Sequence, residues 1–183
     1  MDAIVEAALK KWPNVPHCHG WLALDARGDW YMRDDRTQAA GRFPRVKGSR
    51  IEHEKLREFI GRNYADDGQG QWFFQNGPQR VYVELEAAPF VWRLSAVDGG
   101  PPAIVSHHGL PADFRSAHVD EAGRLFVATD LGLGLVHTLD IEAAADAIEH
   151  GFWRRPEPAA FAELPDRFGY RLSPQADLAG QLP

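Results

Sequence analysis

The pattern Asp-x-x-Gly-x-(Trp/Leu) occurs three times in this chain: DARGDW from Asp25, DGQGQW from Asp67 and DEAGRL from Asp120. Aspartate suits the first position of a type I turn because its carboxylate accepts nearby amides. Glycine three residues on takes the left-handed backbone that closes the turn with a bulge. Each copy therefore predicts a hairpin loop, with Trp30, Trp72 and Leu125 starting the return strand as core anchors. A calcium loop would need alternating oxygen ligands and a terminal bidentate acid, which these stretches lack. Three such loops in 183 residues commit much of the chain to strands that pair with their sequence neighbours.

Between the loops, residues 71–75, 80–86, 90–95 and 103–107 read as strands. In the second of these Val81, Val83 and Leu85 alternate with Tyr82, Glu84 and Glu86, as in a half-buried antiparallel strand. Helical spacing predicts three helices. Residues 2–12 place Ile4, Ala8 and Trp12 on one face. Residues 50–63 follow a Ser49–Glu52 capping box, and the third helix runs from an Asp140 cap to Gly151. Residues 33–48 lack a period and read as a loop or a ragged strand extension. The expected class is α+β, an antiparallel sheet built from hairpins and a meander and packed with about three helices. The expected organisation is a single domain, 1–183, with weakly repeated hairpin–helix units at 19–63 and 117–150 and a proline-rich docking tail at 152–183.

A formal charge of −6 with scattered Lys and Arg argues against a nucleic-acid partner. One cysteine fits a reducing compartment, and no apolar run approaches the ~20 residues that span a bilayer. With no signal-peptide pattern at the N-terminus, the expectation is a cytoplasmic protein without membrane contact.

The string WFFQNGPQRVYV, residues 72–83, is the most distinctive. A turn centred on Asn76 and Gly77 needs an amide at residue 78, and Pro78 has none. A four-residue loop is expected instead, exposing Asn76, Gln79 and Arg80 as ligand- or partner-binding candidates; the alternative is that they serve the turn itself. His17, His19, His107 and His108 are candidate metal ligands. Neighbouring strand residues face opposite ways, however, and no Cys-x-x-Cys or His-Glu-x-x-His spacing is present. Cys18 and Ser106 lack the partners of an activated nucleophile. No catalytic residue and no cofactor is assigned. The expected function is a non-enzymatic binding or regulatory module for a protein or small ligand. The alternative is a metal-binding protein or metal-dependent hydrolase built on the two histidine pairs.

The string 72–83, with GWLALDARGD (20–29), FIGRNY (59–64) and RFGY (167–170), resembles an uncharacterised family of small bacterial cytosolic proteins, a domain of unknown function. The similarity covers most of residues 12–150 and departs from the family at 33–48 and at HCHG (17–20). It implies a bacterial origin and no assigned activity. More distantly, the order of motifs resembles another bacterial family of unknown function, with a repeated hairpin-and-helix fold and a suggested signalling role.

Overall fold

The structure, a computed structural model, describes residues 1–180. The first half runs α1 (Ala3–Lys11), β1 (Cys18–Leu24), β2 (Trp30–Met32), α2 (Asp35–Ala40), β3 (Ser49–Arg50), α3 (Glu54–Arg62), β4 (Tyr64–Asp66), β5 (Trp72–Asn76) and β6 (Gln79–Leu85). Next come β7 (Phe90–Val97), β8 (Gly100–Ser106), β9 (Pro111–Ala112), β10 (Phe114–Val119), β11 (Leu125–Thr129), β12 (Leu133–Val136) and α4 (Ile141–Glu149). The chain continues through β13 (Glu157–Pro158), α5 (Leu164–Phe168) and α6 (Pro174–Gly180). These elements form two compact units. Unit 1 holds residues 1–25, 29–86 and the described residues from 169 onward; unit 2 holds 26–28 and 87–168. The tail expected at 152–183 is divided between them at residue 169, and its residues 181–183 lie outside the described residues.

Each unit has its own sheet, with strand order β3-β2-β1-β6-β5-β4 in unit 1 and β13-β10-β11-β12-β7-β8-β9 in unit 2. Within a sheet, two consecutive three-stranded antiparallel meanders meet where the first strand of one pairs in parallel with the last strand of the other. Those pairs are β1 with β6 and β7 with β12. The same order thus recurs over β1–β6 and β7–β12, with β13 added at one edge of the second sheet. The equivalence does not relate the stretches 19–63 and 117–150.

The expected single antiparallel sheet with about three helices is therefore corrected, among the described residues, to two mixed sheets, of six and seven strands, and six α-helices. Parallel pairing between residues some sixty positions apart, such as Leu22 with Val83, leaves no mark on local periodicity. Strand β6 shows the consequence. Its alternation is real, but Tyr82 and Glu84 are buried together with Val83 and Leu85, because β6 is central and α6 packs against it. Helix α3 starts at Glu54, where His53 Nδ1 accepts the Leu56 amide, since Ser49 and Arg50 are already paired with β2. The stretch 33–48, expected as a loop or a ragged strand extension, contains α2, capped by Asp34 through the Thr37 amide.

All three Asp-x-x-Gly loops join antiparallel strands, and Gly28, Gly70 and Gly123 have φ of 83°, 84° and 75°. Asp25, Asp67 and Asp120 each use Oδ1 to accept the amide four residues on. Trp30 and Leu125 are buried, whereas Trp72 is half-buried. At Asp120 burial alone would raise the carboxyl's pKa, but the amide and guanidinium of Arg124 hold it below the usual range. A side chain added at Gly123 meets nothing, whereas at Gly70 its Cβ would lie 2.5 Å from the Gly169 carbonyl oxygen. Gly123→Ala is expected to cost ~1 kcal/mol of backbone strain and Gly70→Ala roughly 3, because backbone must move as well. Urea unfolding of the two variants checks this ranking.

Candidate functional site

The hairpin between β5 and β6 places Asn76 opposite Gln79, so the turn has two central residues, Gly77 and Pro78. Moving the centre by one residue removes the difficulty with proline. Gly77 takes φ 57°, and Pro78 sits where its fixed φ suits the second central position. The expected four-residue loop is thus corrected to a tight turn. Gln75, which sequence reasoning passed over, is buried and donates from Nε2 to the Gly77 carbonyl at 2.9 Å. Gln79 donates from Nε2 to the Pro16 carbonyl at 2.9 Å, and the half-buried Arg80 guanidinium lies 4.5 Å from the Phe73 ring centre. Both side chains are engaged inside unit 1. Asn76 is exposed.

The two histidine pairs fall in different units. In unit 1, His19 stacks on Tyr82 at 4.5 Å and His17 meets the same ring edge-on at 5.9 Å. Burial, then the charge of His17, lowers the His19 pKa. In unit 2 the strand expected through His107 ends at Ser106. The Ser106 amide donates to the Leu110 carbonyl, its Oγ accepts the Leu110 amide, and Gly109 has φ 93°, so Ser106 plays the part that aspartate plays elsewhere. On this loop the two rings meet edge-on, 4.7 Å apart, rather than facing opposite ways. His107 Nδ1 accepts the Val91 amide at 3.3 Å, and Phe90 stacks on His108. Among the described residues no group of three or more His, Cys, Asp or Glu comes together as a metal centre would require.

Burial lowers the His108 pKa to about 4 and, reinforced by the charge of His108, holds that of His107 well below the ordinary value. An imidazole with a depressed folded pKa contributes stability above its unfolded value, near 6.5, that is lost as pH falls through the folded one. His108 alone is expected to remove ~2–3 kcal/mol of stability between about pH 6.5 and pH 4. His108→Phe keeps the contact with Phe90 and should flatten that part of the stability-versus-pH curve.

A cleft of about 560 Å³ lies within unit 2, between α4 and the β7–β8 hairpin. Val97, Pro102, Leu139, Ala143 and Phe152 give it apolar walls, and Glu142, Asp146 and His150 line it from successive turns of α4 and its C-cap. The start of α4 is fixed to β7 by Asp140, whose carboxylate accepts from the Arg93 guanidinium and from the Leu94 amide at 3.1 Å. Arg93 holds this carboxyl below the usual range against the opposing effect of burial. Asp140 thus ties helix to sheet and makes no side-chain cap, contrary to the sequence expectation. The strands of the β7–β8 hairpin read as strands in the sequence; what the sequence did not show is that this hairpin lies opposite positions 142, 146 and 150.

A structure of a DUF1285 family protein from Shewanella baltica OS155 is similar to this chain with a TM-score of 0.46 and 14% sequence identity. The similarity covers 69% of this chain and 91% of that one. No curated protein matches the sequence. Residues 1–175 match the family model DUF2944, whose description reads "Protein of unknown function (DUF2946)", and the chain belongs to that uncharacterised family.

Proposed function

We propose that this chain is a non-enzymatic binding module of the bacterial cytoplasm, and that the unit 2 cleft is its recognition surface for a cationic, amphipathic protein segment. The observation that carries the reading is the set of large apolar side chains held in the open around one concavity: Leu139 is 72% exposed, Val97 50% and Phe152 44%. Exposed apolar groups gathered round a concavity mark an interaction surface more often than isolated ones do. Charge supplies the rest. Unit 2 has twelve Asp and Glu against seven Arg and no Lys. Glu142 and Asp146 form no ion pair among the described residues. An acidic rim favours Lys or Arg beside the apolar anchors and speeds encounter with them.

Selection of peptides displayed on phage tests this. The enriched sequences should carry apolar anchors flanked by Lys or Arg, and should bind Leu139→Asp at least roughly tenfold more weakly. They should bind the Asn76→Ala/Gln79→Ala/Arg80→Ala variant as tightly as the unaltered protein. The opposite pattern moves the surface to the β5–β6 hairpin, and failure to enrich any peptide removes the reading. The metal-protein alternative has two histidines in each unit, with no third ligand grouped beside either pair among the described residues. Elemental analysis of protein purified without a histidine tag tests it.

A further inference from the structure

The cleft suits large apolar side chains next to lysines, and α1 presents such a surface. The helix buries Val5 into unit 1 but leaves Ile4 77% exposed and Trp12, at its C-cap, 51% exposed. At ~1.5 Å per residue these two exposed anchors stand roughly 12 Å apart along the axis, while Ala8 between them is half-buried beside Gly77. Lys10 and Lys11 occupy the last turn, and the Lys11 ammonium lies 4.5 Å from the Trp12 ring centre. Neither lysine pairs with a carboxylate among the described residues. Unit 1 thus carries two exposed apolar side chains with two lysines beside the second, and unit 2 an apolar cleft with an acidic rim.

We propose that α1 of one copy docks in the unit 2 cleft of a second copy of this chain, with Ile4 and Trp12 as anchors and Lys10 and Lys11 facing Glu142 and Asp146. The proposal rests on the cleft being the recognition surface. Such a contact is heterologous, since the two surfaces are different patches of one chain. Two broken variants, each keeping one sound half, are therefore able to complement one another.

The test is sedimentation velocity on the full chain, on a helix-defective variant, Ile4→Asp/Trp12→Ala, and on a cleft-defective variant, Leu139→Asp/Val97→Asp. All four substituted positions are exposed, and circular dichroism confirms that the variants fold. The unaltered chain should self-associate, each variant alone should be monomeric, and an equimolar mixture of the two should form a one-to-one complex. Raising salt from about 50 to about 500 mM should weaken association several-fold, because exposed charge pairs are screened. A monomeric unaltered chain overturns the proposal, as does self-association that survives in both variants or a mixture that fails to pair. Two ligands separate this failure from that of the binding-module reading: the cleft-defective variant, which carries α1 intact on the full chain, and an unrelated Leu/Lys amphipathic helix. If the unrelated helix binds in a Leu139-dependent way while the cleft-defective variant does not, only the second-copy proposal falls. If neither binds, both fall.

Discussion

Trp92→Ala is expected to lower the stability of unit 2 by about 4 kcal/mol, read as a drop in the urea midpoint at unchanged slope. Trp92 is fully buried on β7, stacks on Phe90 at 4.9 Å and donates from Nε1 to the Val127 carbonyl at 2.8 Å. Alanine removes the largest side chain of this core and leaves that carbonyl without its donor, so a cavity and a lost hydrogen bond act together. Trp92→Phe separates them, keeping most of the volume and losing the N–H; about half the effect is expected. The indole reaches Val127 on β11 by crossing the intervening strand β12 at Gly134, where an added Cβ would lie 2.3 Å from the indole nitrogen. Gly134→Ala should therefore cost roughly 3 kcal/mol in the unaltered chain and clearly less in the Trp92→Ala background, where the nearest obstacle has gone. Equal costs in the two backgrounds would mean that the indole is not what requires glycine there.

That dependence shows where sequence reasoning reached and where it stopped. The Asp-x-x-Gly loops were legible because the hydrogen bonds that close them fall within five residues. The rule was also wider than its spelling, since Ser106 with Gly109 builds the same loop around two histidines that read as strand. Helix α2 was legible but missed: Asp34 caps Thr37 and Gly41 follows the last turn, a start and stop signal with six residues between them. Helix α3 was placed too early because Ser49 suits a cap equally well, and only pairing with Tyr31 and Met32 decides that it lies in a strand. The parallel pairs β1–β6 and β7–β12 were illegible in principle, because nothing local distinguishes a strand about to pair in parallel with a partner such as Val83 for Leu22 or Gly134 for Phe90. The cleft depends on such long-range placement too. Its helix side shows in the spacing of Glu142, Asp146 and His150, while its strand side appears only once α4 is fastened to β7 through Asp140 and Arg93.

Glu84→Ala is expected to destabilise unit 1 by about 3–5 kcal/mol, the usual result of removing one member of a buried charge arrangement. Glu84 is 4% exposed and accepts from the Gln175 amide at 3.0 Å and from the Ser173 hydroxyl, which fastens the start of α6 to β6. Arg33 is 1% exposed and donates from Nη2 to the Gly41 carbonyl at 2.6 Å, and its charge acts on Glu84. Burial raises the Glu84 pKa against the lowering influence of Ser173, Gln175 and Arg33, and burial lowers that of Arg33. A carboxyl with a raised folded pKa favours folding below its unfolded value and loses that contribution as pH rises through the folded one, opposite in sign to His108. Glu84→Gln should abolish this acid-side gain while keeping an acceptor for α6. Whether the two charges act on one another is tested by Arg33→Met, Glu84→Leu and the double variant. If the two charges compensate one another, the double variant costs less than the sum of the single ones, because neither is left alone in the interior. Additive costs would instead mean that Arg33 serves only the Gly41 carbonyl, and that Glu84 is buried for the sake of α6 alone.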